Sequence, residues 1–440
     1  MTLWRNDGRY KRGWFCSFIF LGFLSGCESA ELGSLSAISG SPTVGGIVVA
    51  DDPQAAVMAQ KILDGGGTAA DAAVALGFGL AVTLPSRAGL GGAGACIVYD
   101  YETRLAEYLD FRPKPAVNYQ EHAKWQMSIP ALAAGLFALH AKYGVLSWSQ
   151  VVSPAETYSL FNRKVGRALA IDIEAHSRVL SNDPSALDAF MSSTRTLAGE
   201  GASVLQVNLA STLSRIRERA APDFYNGELA HDIAQASKSA GASLGISDLK
   251  GFKPNWLPLS GEAGHGVVLY NDFTFQIVEP LADKNFEKLK SDATTGFAVA
   301  DAAGNAVVCQ LTMTTPFGLG LMLNKVGFLA IPVDGKLVGG ETILPPMAIA
   351  IDEYNNRLTF VGVSKQSEDF EVLNIALKQS LASKKSSRPI SRQTAMRTLA
   401  GYPGVNMLHC KNGLVPSFAN CEVYKDPLGY GYGIISYGEP

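Results

Sequence analysis

Thr294 and Thr312 are the residues of this chain whose type and spacing most directly suggest chemistry. Thr294 stands near the head of the run Ala293-Thr294-Thr295-Gly296-Phe297-Ala298-Val299-Ala300-Asp301, and Thr312 closes a second apolar run that starts at Ala306. A threonine hydroxyl is a poor nucleophile unless a base sits beside it, and the α-amino group of a threonine at a chain N-terminus is such a base. Its unperturbed pKa is about 7.7 to 8.0, so much of it is neutral near physiological pH. Scission between Ala293 and Thr294 would create that terminus. The plainer alternative is that both threonines only furnish a sheet, where β-branched side chains are common.

To act together the two residues need a β-hairpin. Phe297 to Ala300 is a strand-like apolar run, Asp301-Ala302-Ala303-Gly304-Asn305 is turn chemistry, and Ala306 to Thr312 is a second apolar strand with β-branched content. Thr294 and Thr312 lie equally far from Ala303. A turn centred there makes them cross-strand neighbours, whereas a one-residue slip turns one of them to the other face.

The rest of the chain sets limits. Its 440 residues can bury a large core, as two or three domains or one large α/β domain. Lys and Arg number 37 against 40 Asp and Glu, a net charge of -3 that carries no electrostatic footprint for nucleic acid. The histidines (His122, His140, His176, His231, His265 and His409) form no ligand cluster in sequence, and no metal or other cofactor is expected.

Arg5, Arg9, Lys11 and Arg12 precede the apolar stretch Trp14 to Leu24, too short to span a bilayer as a helix and suited to an export signal. Leu24-Ser25-Gly26-Cys27 resembles a bacterial lipobox, which implies a signal peptide over 1–26, lipid attachment to Cys27 and a place in the bacterial cell envelope on its periplasmic or extracellular side. An ordinary signal peptide with an incidental cysteine is the alternative. The following Ser/Gly-rich residues behave as a tether to residue 43. In an exported protein Cys410 and Cys421, across a turn-rich stretch, can close a small disulfide loop, while Cys96 and Cys309 lie in apolar strands and are expected to be simply buried.

Asp52-Pro53 opens a helix to about Asp64 that stops at Gly65-Gly66-Gly67, and Thr68 with Asp71 has capping-box spacing for a second, wholly apolar and therefore buried helix ending at Pro85. The run Gly89 to Gly94 matches a dinucleotide-binding pattern, but it follows a helix and enters a strand, the reverse of what phosphate binding needs. Gly241-Ala242-Ser243-Leu244-Gly245 matches a serine-hydrolase elbow, yet a helical stretch precedes it where a strand is required. Strands and helices interleave without βαβ periodicity, which favours a layered α+β sandwich.

The chain resembles the γ-glutamyltransferase (glutathione hydrolase) family of N-terminal-nucleophile hydrolases. The blocks that carry the resemblance include Asp71-Ala72-Ala73-Val74-Ala75, Gly91-Gly92, Leu109-Asp110-Phe111-Arg112, Tyr143-Gly144, Pro154-Ala155, Phe224-Tyr225, Thr294-Thr295, Gly304-Asn305-Ala306-Val307 and Phe317-Gly318. The resemblance implies a four-layer αββα sandwich and self-cleavage between Ala293 and Thr294 into a large-subunit region, 44–293, and a small-subunit region, 294–440, of one composite domain. It implies that Thr294 attacks a γ-glutamyl carbonyl, that Thr312 positions its hydroxyl, and that Arg112 and Thr314 bind substrate. Arg112 suits a carboxylate clamp, with a structural ion pair as the other reading.

The chain also departs from the family pattern. Gly296 stands where the family has histidine, Phe328 to Val333 lacks the acids that grip the substrate amino group, and Pro345-Pro346 replaces paired serines. Val363-Ser364-Lys365-Gln366 follows Gly362 where paired glycines form the oxyanion hole, leaving the backbone of Lys365 and Gln366 as the remaining donors. The leading expectation is a lipid-anchored γ-glutamyl hydrolase or transferase acting on a small glutathione-like amide. The alternatives are a binding or scaffold lipoprotein that has lost turnover, and an acylase on another amide.

Overall fold

A computed structural model of the chain describes residues 44–116, 123–161, 164–264, 266–272, 293–333, 344–365, 373–374, 377, 404–414, 418–426 and 429–437. The expected leader, Cys27 and the tether lie outside the described residues.

The strands are β1 (Gly46–Ala50), β2 (Ala93–Asp100), β3 (Leu105–Phe111), β4 (Asn255–Leu259), β5 (Glu262–Gly264), β6 (Val267–Asn271), β7 (Thr294–Asp301), β8 (Ala306–Thr312), β9 (Met322–Leu323), β10 (Phe328–Leu329), β11 (Met347–Asp352), β12 (Leu358–Ser364), β13 (Val405–Cys410), β14 (Cys421–Tyr424) and β15 (Tyr432–Ser436). One sheet runs β15-β1-β7-β8-β2-β3-β4 and a second β14-β13-β12-β11-β6-β5, with β9 and β10 paired separately. Every pairing in the two sheets is antiparallel. Strands from both sides of the Ala293–Thr294 bond are interleaved in the first sheet, with β1 between β15 and β7 and with β8 beside β2.

Alternation of side chains explains the layering. On β7 and β8 the odd-numbered Phe297, Val299, Val307, Cys309 and Leu311 join the helical core, while Ala298, Ala300, Ala306 and Val308 meet Ile349, Val361 and Val363 of the second sheet. The outer face of that second sheet, through Ala348, Ala350, Phe360 and Met407, packs against Leu373 and Leu377. The protein is thus an α+β sandwich of the αββα kind.

The first helical layer forms where local chemistry directs it. Helix α1 (Pro53–Asp64) is capped by Asp52, whose Oδ1 accepts from Gln54 N (2.9 Å) and Ala55 N (3.0 Å), and α2 (Ala69–Thr83) by the Thr68–Asp71 box. Every residue of α2 is buried. The β7–β8 turn docks on its N-terminus: Asp301 accepts from the amides of Ala303, Gly304 and Asn305 and from Ala69 N at 2.9 Å. Burial pushes the Asp301 carboxyl above its ordinary pKa, and these hydrogen bonds oppose the rise. Among the described residues no helix is long and apolar enough to cross a membrane.

The glycine run packs backbone against backbone. A Cβ on Gly91 would stand 2.0 Å from Leu329 O and one on Gly94 2.3 Å from Gln310 O, so these positions admit no side chain. Ser243 follows the helix Glu228–Ser239 and its Oγ accepts from Met127 N at 3.2 Å, away from Thr294's strands. Cys410 and Cys421 are opposite residues of β13 and β14 and are joined by a disulfide. Cys96 and Cys309, expected to be merely buried, are also joined, because the β2–β8 register sets them opposite with α-carbons 4.0 Å apart.

Candidate active site

Register builds the site. Thr294 is paired with Thr312, as the hairpin spacing implies, and Thr312 is paired with Ala93. Gly94 is paired with Phe111, so Arg112, one residue beyond β3, continues the row after Ala93. Four positions therefore line one end of the sheet, and strand spacing puts the Arg112 α-carbon about 14 Å from that of Thr294. Directly opposed residues share a face, and Thr294 and Thr312 continue the even-numbered face of β7 and β8, whose Ala298, Ala300, Ala306 and Val308 meet the second sheet.

Within the row the nucleophile candidate is buried, with 4% exposure, and its hydroxyl donates to the backbone carbonyl of Lys365. The Ala293 carbonyl, on the bond expected to break, accepts from Met313 N at 3.0 Å. Thr312 Oγ accepts from Thr314 N at 2.9 Å, and Thr314 Oγ donates to Met313 O at 2.6 Å. Thr314 adopts φ 61°, a left-handed conformation that is costly for a β-branched residue and is held by these bonds.

At the far end Asp110 grips Arg112: Nε and Nη2 donate to the two carboxylate oxygens at 2.9 Å each, and Arg112 N donates to Oδ1 at 3.0 Å. Burial works against the Asp110 carboxylate, but the Arg112 hydrogen bonds and the charges of Arg112 and Lys114 outweigh it and hold its pKa below the ordinary value. The structural ion pair of the second reading exists, and Arg112 stands at the end of the row that begins at Thr294.

Opposite Thr294 lies a buried charge cluster with no counterpart in the sequence-based expectations. Lys365 Nζ lies 2.7 Å from Asp51 Oδ1 and 2.7 Å from Asp426 Oδ2. Asp51 also accepts from Thr295 Oγ (2.8 Å) and Asn406 Nδ2 (2.8 Å), and the same Asn406 amide donates to Gly296 O at 2.9 Å. Burial tends to strip the Lys365 ammonium, but the two carboxylates overcome it and raise its pKa. Asp51, Asn406 and Asp426 come from three distant segments, so no spacing signals them. Asp51 alone leaves a trace, as the second acid beside a helix-capping Asp52.

The replacements expected from the resemblance fit one another. A Cβ on Gly296 would stand 2.4 Å from Val363 Cγ2 and 2.8 Å from Gln310 Oε1, so Val363 occupies the room a side chain at 296 would need. Phe328, Leu329, Ala330 and Ile331 are buried in the helical core rather than facing a ligand. The backbone donors left open on β12 are committed. Ser364 N donates to Pro346 O at 3.0 Å and Lys365 N to Gly404 O at 2.7 Å, which corrects the expectation that Lys365 N remains an oxyanion donor. Gln366 lies outside the described residues.

Ala293, Thr294, Thr312, Thr314 and Arg112 thus gather at one sheet end, whereas Cys410–Cys421 joins neighbouring strands of the other sheet. Concavities such as the one lined by Lys124, Trp125, Asp183 and Lys325 contain none of these residues.

A family model described as gamma-glutamyltranspeptidase matches residues 55–272. The glutathione hydrolase proenzyme of Escherichia coli (strain K12) is 31% identical over 234 residues, 49% of this chain and 40% of that protein. The chain thus spans less than half the length of that relative. The glutathione hydrolase proenzyme of Pseudomonas aeruginosa is 26% identical over 376 residues, covering 65% of this chain and 67% of its own. Among solved structures, a cephalosporin acylase from Bacillus halodurans aligns with a TM-score of 0.67 at 18% identity, over 90% of this chain and 97% of that one, a likeness of fold.

Proposed function

The chain is a divergent member of the gamma-glutamyltranspeptidase family, and from that premise we propose that it cleaves itself before Thr294 and then hydrolyses or transfers an acyl group held as an amide, with γ-glutamyl amides as the first candidates. The observation that carries this is the pairing of Thr294 with Thr312 beside an Ala293 carbonyl already held by Met313 N.

In the cleavage, Thr294 Oγ attacks the Ala293 carbonyl carbon while Met313 N–H supports the developing oxyanion. The Ala293–Thr294 C–N bond breaks, the hydroxyl proton passes to the Thr294 nitrogen, and water hydrolyses the resulting ester. That restores the hydroxyl and leaves a free α-amine beside it. The amine then serves as the base that the intact chain lacks, since the Thr294 proton there meets only a carbonyl. Thr312, its oxygen fixed by Thr314 N, keeps its own O–H to orient the nucleophile. Arg112, held in plane by Asp110, meets the substrate carboxylate at the other end of the row. The small molecule is the partner proposed here, and export with a lipid anchor at Cys27 belongs to the same proposal.

A second reading rests on the committed amides of Ser364 and Lys365. Losing one oxyanion donor costs about a hundredfold to a thousandfold in rate, so a chain that processes but does not turn over would serve as a binding or scaffold protein. Assaying the mature protein and Thr312→Val against γ-glutamyl amides and a panel of other amides separates these. Turnover of γ-glutamyl amides that falls in Thr312→Val supports the first reading, turnover only of other amides supports an acylase like the fold neighbour, and processing without any turnover supports the second.

A further inference from the structure

We propose that the Cys96–Cys309 disulfide is a covalent bond between the two chains released by cleavage, so that the mature protein is a cross-linked heterodimer whose subunits do not part on denaturation. The proposal rests on the self-cleavage reading above. Cys96 lies before the Ala293–Thr294 bond and Cys309 after it, 213 residues apart in sequence. Once that bond is cut, the disulfide becomes a link between polypeptides. Cys410–Cys421, by contrast, closes a short loop wholly within the second chain and ties nothing across the cut.

Position makes the bond more than a tether. Cys96 and Cys309 are directly opposed on the central strands β2 and β8, and both have 0% exposure. Three residues along the same ladder, Ala93 is opposed to Thr312. A rung that fixes the β2–β8 register holds Ala93 opposite Thr312, since a slip of one residue between these strands would break the row that leads from Thr312 to Arg112. Burial on both sides shields the sulfurs from thiol reagents while the protein is folded.

The bond forms once, in the precursor, by exchange with a disulfide-bearing oxidant. Each thiol gives up its proton, the pair gives two electrons, and the oxidant leaves as two thiols. The later hydrolysis of the Ala293–Thr294 peptide neither makes nor breaks an S–S bond. The two events are therefore independent and can be tested separately.

The test is denaturing electrophoresis of purified, exported full-chain protein, alkylated during denaturation to block exchange, with and without reductant. The expected result is two chains with reductant, the smaller beginning at Thr294, and one species of their combined mass without it. Two separate chains without reductant would overturn the cross-link while leaving cleavage intact. One chain under both conditions would overturn the cleavage reading and with it the heterodimer. Peptide mapping of the Thr294→Ala protein shows whether Cys96 and Cys309 are joined independently of any cut, and a link from either to Cys410 or Cys421 would refute the pairing. As a second readout, the melting temperature of the mature wild type is independent of protein concentration, whereas that of a Cys96→Ala, Cys309→Ala protein falls on dilution as chains dissociate. Equal concentration dependence in both would contradict the proposal.

Discussion

The two sides of the candidate site are built on opposite principles. On one side, β7, β8, β2 and β3 set Thr294, Thr312, Ala93 and Arg112 in a row by backbone register. On the other, the end of β12 leads to Lys365, whose carbonyl accepts from the Thr294 hydroxyl and whose ammonium is locked by charge between Asp51 and Asp426. The Thr294 side has the register that the proposal needs, while the other side carries a buried ion cluster where the resemblance places glycine donors and closes the space over Gly296 with Val363. Thr294 and the 364–365 segment sit on different sheets, so the proposed nucleophile and the segment where the resemblance places glycine donors can diverge separately.

The largest expected effect comes from breaking the charged side. Lys365→Met leaves Asp51 and Asp426 buried without their cation and should cost about 3 to 5 kcal/mol in chemical denaturation. Arg112→Met on the register side, where the pair is partly exposed, should cost about 1 to 3 kcal/mol. Equal losses would erase the contrast.

A smaller effect tests the packing between the sides. Gly296→Ala forces its new methyl into Val363 and should cost about 1 to 3 kcal/mol. Combining it with Val363→Ala should recover part of that loss, giving a coupling in a double-mutant cycle. Strict additivity would show that the two positions are independent.

The smallest effect is in pH. The Asp110 pKa is lowered in the folded protein, so its contribution is present above the unfolded value, about 3.9, and is lost as pH falls through the folded one. The Lys365 pKa is raised, so its contribution is present below the unfolded value, about 10.4, and is lost as pH rises through the folded one. Asp110→Asn should therefore flatten the acid limb of a stability profile and leave the alkaline limb unchanged. An altered alkaline limb would couple the two sides.

Local chemistry made much of this legible in sequence. Asp52-Pro53, the Thr68–Asp71 box and the turn Asp301 to Asn305 each specify an element within a few residues, and the Thr294–Thr312 register follows from one hairpin. The Cys96–Cys309 bond was hidden because it depends on β2 pairing with a strand 213 residues away. The cluster of Asp51, Lys365, Asn406 and Asp426 was hidden for the same reason, and whether the Lys365 amide is committed depends on Gly404 across a strand gap that no spacing encodes. Family resemblance located the departures at Gly296 and Val363, but only packing explains why they occur together.

Intact-mass analysis with N-terminal sequencing of the purified protein and its Thr294→Ala variant tests self-cleavage most directly. The expected result is a wild type containing a small chain that begins at Thr294 and a variant that remains one uncut chain. An uncut wild type, or a Thr294→Ala protein cut at the same bond, would contradict the assignment of Thr294 as the nucleophile.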